Sequence, residues 1–118
     1  MSIRVFIAHN QKVIAEGVAA MLRTHGEIEV VGLCDSQDVD FEKIENLTPD
    51  VIVIGDSEFH RNENYLYELI ASHSEKNHFV VISSDASRLS ISDALKAGAK
   101  AHISLNSEMD DLIVAIRR

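Results

Sequence analysis

The sequence predicts an α/β domain built on a parallel sheet with helices on both faces, and three observations carry that prediction. Val51-Ile52-Val53-Ile54 places four β-branched residues in a row without polar alternation, between the turn signal Pro49-Asp50 and the pair Gly55-Asp56. Such a run reads as a short strand buried on both faces. Runs of this kind alternate with segments of helical periodicity, five strands to five helices. Each crossover holds about a dozen residues, enough for a helix and too many for a hairpin. In open sheets of this class ligand chemistry lies outside the C-terminal ends of the strands, which makes Gly55 and Asp56 the first candidates.

A chain of 118 residues, 46% hydrophobic and 25% charged, is sized and composed as one globular domain with a single core. Its net charge of −8 repels a phosphate backbone and argues against direct nucleic-acid binding by this segment. Cys34 is the only cysteine, which excludes an internal disulfide and fits a reducing compartment. With no signal-peptide pattern and no apolar run near the ~20 residues of a membrane span, a cytoplasmic location is expected.

Taken in order, Ile3 to Ala8 reads as the first strand, and His9-Asn10-Gln11 as a polar loop in which Asn10 is a candidate N-cap. From Lys12 to Thr24, Val13, Ala15, Val18, Met21 and Leu22 recur at three- and four-residue steps, an amphipathic helix ended by His25-Gly26. Gly17, inside it, costs about 1 kcal/mol against alanine and points to close packing. Glu27 to Cys34 alternates before turning apolar, as an edge strand does. Val39, Phe41, Ile44 and Leu47 mark a second helix in acidic surroundings, and Pro49 opens the third strand.

After the polar stretch from Asp56 to Asn62, Tyr65, Leu66, Leu69 and Ile70 give a third helix, and Phe79 to Ile82 a fourth strand followed by the loop Ser83 to Ser87. Leu89, Ile91, Ala94 and Leu95 make a fourth helix with Gly98 as its C-terminal stop. Ala101 to Leu105 is the fifth strand, and Leu112, Ile113 and Ile116 form the stripe of a last helix led by Ser107 and three acids. That helix reaches Arg117-Arg118 without a C-cap, so the chain is expected to be one domain, residues 1–118, of a longer protein.

The order of these elements resembles the receiver domain of bacterial response regulators (the CheY-like superfamily), above all receivers of LuxR-type regulators. Ile3 to Val18 with its Glu16-Gly17 pair, Glu29-Val30-Val31-Gly32, Pro49 to Ile54, and Ala97-Gly98-Ala99-Lys100-Ala101 each resemble a receiver string in the matching place. The resemblance implies a flavodoxin-like (βα)5 sandwich with strand order 2-1-3-4-5. It also implies a phosphorylation site of two acids after the first strand, an acceptor aspartate ending the third, a hydroxyl after the fourth and a lysine after the fifth. Those positions fall on His9 and Asn10, Gly55, Ser83 and Leu105. Only Ser83 keeps the family's chemistry, because Mg²⁺ wants oxygen ligands and a glycine holds no nucleophile. The family's proline after the acceptor falls on Phe59, and its aromatic switch residue on His102.

The resemblance therefore implies a degenerate receiver without the acceptor aspartate. It would be a phosphorylation-independent module of a transcriptional regulator, not an enzyme, needing no cofactor and working by homodimerisation or by contact with a partner protein. DNA would be bound only through a separate C-terminal domain. Two alternatives stay open: a phosphorylatable receiver using Asp56, and a stand-alone adaptor that binds another regulator. Asp56 could equally cap the following loop, and His9 with Asp56 offers imidazole and carboxylate to a transition metal, short of the usual ligand number. His102 could titrate as a switch or stand as an inert strand residue, and Ser83 could be a loop cap. Cys34 reads as a small buried hydrophobe. The remaining histidines, His25, His60, His73 and His78, are expected at the surface, and the acidic run from Asp35 to Glu45 as a solvated face.

Overall fold

A computed structural model describes residues 2–36, 38–55, 63–83, 94–104 and 108–117, with side chains in the third helix from residue 67 onward. Five strands, β1 (Ile3–His9), β2 (Ile28–Cys34), β3 (Val51–Gly55), β4 (Phe79–Ser83) and β5 (Ala101–Ser104), form one parallel sheet in the order β2-β1-β3-β4-β5. Helices α1 (Lys12–Leu22), α2 (Phe41–Leu47), α3 (Glu63–His73), α4 (residues 94–97) and α5 (Met109–Arg117) connect and follow them. The predicted fold class and the edge position of β2 are therefore as found.

Alternation along the strands divides the core in two. Val5, Ile7, Val51, Val53, Val80 and Ile82 face α1 and α5, where Val18, Leu22, Leu112 and Ile116 meet them. Phe6, Ala8, Ile52, Ile54, Phe79 and Val81 face the other way, onto Ile44 of α2, Ile70 of α3 and Ala94 of α4. Val51 to Ile54 are all buried, because a central strand covered on both faces has no solvent side to alternate toward.

The short α2 is held at both ends. The Asp40 carboxylate accepts from the Glu42 and Lys43 amides, and the Arg4 guanidinium donates to the Leu47 and Thr48 carbonyls that the helix leaves unpaired. Gly98 stops α4 at φ +117, with Ser74 so close that a Cβ there would lie 2.6 Å from its hydroxyl oxygen.

Several expectations change. The N-cap of α1 is Gln11 rather than Asn10, because β1 runs one residue further and His9 Nδ1 accepts the Gln11 amide. Val13 and Met21 leave the core: they are 82% and 49% exposed, since the buried line of α1 is Ala15, Val18, Ala19 and Leu22. A Cβ at Gly17 would meet no atom within 4 Å among the described residues, so the close packing expected there is not found. Leu95 points outward from α4. His73 is half-buried and stacks on Phe41 with ring centroids 3.6 Å apart, so it serves the α2–α3 packing. Leu89, Ile91 and His60 lie outside the described residues.

Candidate functional site

The parallel register brings the C-terminal strand ends together. His9 pairs with Gly55, and Gly55 with Ile82, all three on the sheet face turned toward α1 and α5. His9 is 2% exposed, and its Nδ1 accepts the Gln11 amide at 3.0 Å, which leaves the ring's proton on Nε2. Its ring closes the space above Gly55 from one side and the Ile82 backbone closes it from the other. A Cβ at position 55 would lie 2.3 Å from the Ile82 carbonyl oxygen, 2.8 Å from Ile82 Cγ1 and 3.0 Å from His9 Cδ2. The first of these is a backbone atom of a central strand and has little room to give. Gly55 is thus required by close approach, whereas its sequence context shows only that a strand ends there.

Asn10 follows His9 and is neutral. Both border a cleft of about 220 Å³ between the first turns of α1 and the ends of β1 and β2, lined also by Lys12, Glu16, Leu33, Cys34 and Asp35. The Lys12–Glu16 ion pair at its rim was legible as an i, i+4 spacing. Leu33 was not, because only the register shift between Val5 and Phe6 turns it outward to the cleft.

The receiver resemblance calls for Mg²⁺, and the described strand ends do not fit it. An imidazole, a carboxamide and a glycine replace the oxygen-rich set a hard cation needs, and among the described residues no group of three or more His, Cys, Asp or Glu side chains is placed to hold a metal. Asp56, Phe59 and Leu105 lie outside the described residues.

On the opposite face Ser83 ends β4, and its hydroxyl lies 3.3 Å from His102 Nε2. The other ring nitrogen, Nδ1, is buried with no hydrogen-bond partner among the described residues. Burial lowers the His102 pKa below its ordinary 6.5, outweighing the opposing influence of its own backbone. The unfolded chain then binds the proton more readily, so His102 leaves stability intact above pH 6.5 and reduces it as the pH falls from 6.5 through the lower folded value. Urea midpoints measured from pH 8 to pH 5 are expected to fall on the acid side, and His102→Gln to flatten that fall. Equal acid-side slopes in the two proteins would contradict the assignment.

Cys34, expected as a small buried hydrophobe, is half-buried at the cleft, and burial reinforced by the Asp35 and Asp38 carboxylates pushes its thiol up to about 11. At neutral pH it is a thiol, not a thiolate. Its alkylation by iodoacetamide at pH 7.5 is expected to be slower than that of an ordinary cysteine on the order of a hundredfold, rising steadily with pH. A rate that levels off by pH 9 would show a reactive cysteine instead.

A doubly wound α/β sandwich with its candidate site at the strand ends is the class this geometry defines, and comparison with known proteins narrows it. No family model matches the chain. The transcriptional regulatory protein LnrK of Bacillus subtilis strain 168 is 23% identical over 114 residues, covering 97% of this chain and 52% of that protein, so the chain spans about half of its length. The NarL signal receiver domain from Mycobacterium tuberculosis superposes with a TM-score of 0.81 at 22% identity, covering 98% of this chain and 94% of that one. A two-component response regulator of the LuxR family from Aurantimonas sp. SI85-9A1 gives 0.83 at 16% identity, with 99% and 84% covered. The chain has the receiver fold of response regulators.

Proposed function

We propose that this chain is a degenerate receiver domain of a transcriptional regulator, one that signals by protein contact and not by phosphorylation. The observation that carries the proposal is the closed position 55, where the Ile82 carbonyl stands in the way of any side chain. The neutral Asn10 and the buried ring of His9, where the resemblance calls for the Mg²⁺-binding acids, support the same reading. In this reading the chain is not an enzyme, and any contact with DNA belongs to a separate domain, as the likeness to LnrK and to LuxR-family regulators suggests. Regulation then depends on what the domain touches, through association with a second copy or with another protein.

Incubation with a small phosphodonor and Mg²⁺, followed by intact mass measurement, tests this. No species heavier by about 80 Da, the mass of a phosphoryl group, is expected. An adduct that disappears in Asp56→Ala would replace the proposal with a phosphorylatable receiver using that carboxylate.

A further inference from the structure

The cleft beside α1 has the size and lining of a ligand site, and it lies across β1 from Gly55, with Leu33 and Cys34 on its β2 side and Lys12, Ala15 and Glu16 on its α1 side. Its shape depends on the bulge in β2. Val31 and Gly32 both turn toward the Phe6 side of the sheet: Val31 packs into that half of the core, and a Cβ at Gly32 would stand 2.7 Å from the Phe6 ring. Two successive residues on one side send Leu33 to the other, level with Ile7 and next to α1, where it is 39% exposed. On the α1 side position 15 is an alanine, whose single methyl group leaves the space open.

Volume and lining together define what fits. A cavity of about 150 Å³ accepts benzene, so about 220 Å³ admits one ring with an arm of about two or three atoms. Leu33, Ala15 and the neutral Cys34 thiol offer the ring apolar contact. Charge selects the arm. Among the described residues that line the cleft, Lys12 carries +1 and Glu16 and Asp35 carry −1 each, a sum of −1, and Lys12 is already paired with Glu16 at 3.8 Å. After burial, the Asp35 and Asp38 carboxylates are what oppose a negative charge on Cys34, and the same potential favours a positive group beside it.

From this cleft we propose that the chain binds a small arylalkyl ammonium compound, its ring between Leu33 and Ala15 and its ammonium group on the Asp35 carboxylate, with the Asn10 amide oxygen as a second acceptor in the same lining. The chain's net charge of −8 draws such a cation and repels an anion of the same size. The site is made by β1, β2 and α1 and stands whether or not the chain accepts a phosphoryl group.

Titration of the isotope-labelled chain with 2-phenylethylamine at pH 7, followed by backbone amide NMR shifts, tests the site. Saturable shifts centred on residues 9–16 and 33–35 are expected, with a Kd at or below about 1 mM, the weak end of specific binding. 2-Phenylethanol, of the same size without the charge, and phenylacetate, of the opposite charge, should each bind at least about fivefold more weakly. Asp35→Asn, at an exposed position where the fold tolerates it, and Leu33→Ala should each weaken binding of the amine about three- to fivefold. Glu75→Gln removes an exposed acid ahead of β4, at the other end of the sheet, and should leave the affinity unchanged. The proposal is overturned if no shift saturates by about 10 mM amine, ten times that Kd, or if the shifts centre on other residues. Equal binding of the alcohol, wild-type affinity in Asp35→Asn, or a loss in Glu75→Gln as large as in Asp35→Asn would overturn it as well.

Discussion

An acid at position 55, where the receiver resemblance places an acceptor aspartate, is expected to damage the protein. Gly55→Ala should destabilise the domain by about 2–4 kcal/mol and Gly55→Asp by about 4 kcal/mol or more, adding the cost of a buried carboxylate to that of overpacking. Against a total of about 5–15 kcal/mol, the second change leaves a marginal fold. Urea unfolding with an unchanged slope would measure it. The clash has a rigid and a yielding component, the Ile82 carbonyl at 2.3 Å and the His9 ring at 3.0 Å. The coupling between His9→Ala and Gly55→Ala should therefore stay below about 1 kcal/mol, the two costs adding nearly in full, because the nearer obstacle is backbone. A Gly55→Asp protein with the wild-type midpoint would show that the strand ends can open, and the closed-site argument would fall with it.

The second large effect is at His9 itself. His9→Ala removes a buried ring and the acceptor of the Gln11 amide, at the point where β1 hands over to α1. Cavity and lost hydrogen bond together are expected to cost about 2–4 kcal/mol. His9→Asn should recover part of this, since an asparagine oxygen readily accepts an amide two residues on. Hydrogen exchange would localise the change: the first turn of α1 should lose protection in His9→Ala and regain it in His9→Asn. If the alanine variant matches wild type in both stability and exchange, His9 is a bystander to the fold.

Much of this molecule was legible before its structure. The unbroken Val51-Ile52-Val53-Ile54 run marked the central strand, and Ile52 and Ile54 do lie on one face and Val51 and Val53 on the other, all buried. Gly98 was readable as a helix stop because a positive-φ residue after a helix is usually glycine, although Thr48 takes that place after α2. The identities of His9, Asn10 and Gly55 at the strand ends were equally readable, since they need no coordinates once the strands are placed.

Periodicity failed where it was asked which apolar residues are buried. Val13 and Met21 keep helical spacing with the core residues of α1, yet they stand on its far side. The charges of α1, Lys12 and Glu16, mark only one flank, and packing against the sheet chooses which of the apolar residues around the rest of the helix are buried. Gly17 was read as a close-packing position, yet among the described residues a Cβ there would meet no atom within 4 Å.

The sequence by itself determined the class of sheet, the number of strands and their order of alternation with helices, because these follow from residue type and local spacing. The tertiary structure alone decided that Gly55 is a closed position, that Ser83 reaches His102 from an adjacent strand, and that α1 turns an apolar face to solvent. Each of these depends on register and rotation between segments far apart in the chain, set by the joint packing of all the elements and encoded in no single stretch of it.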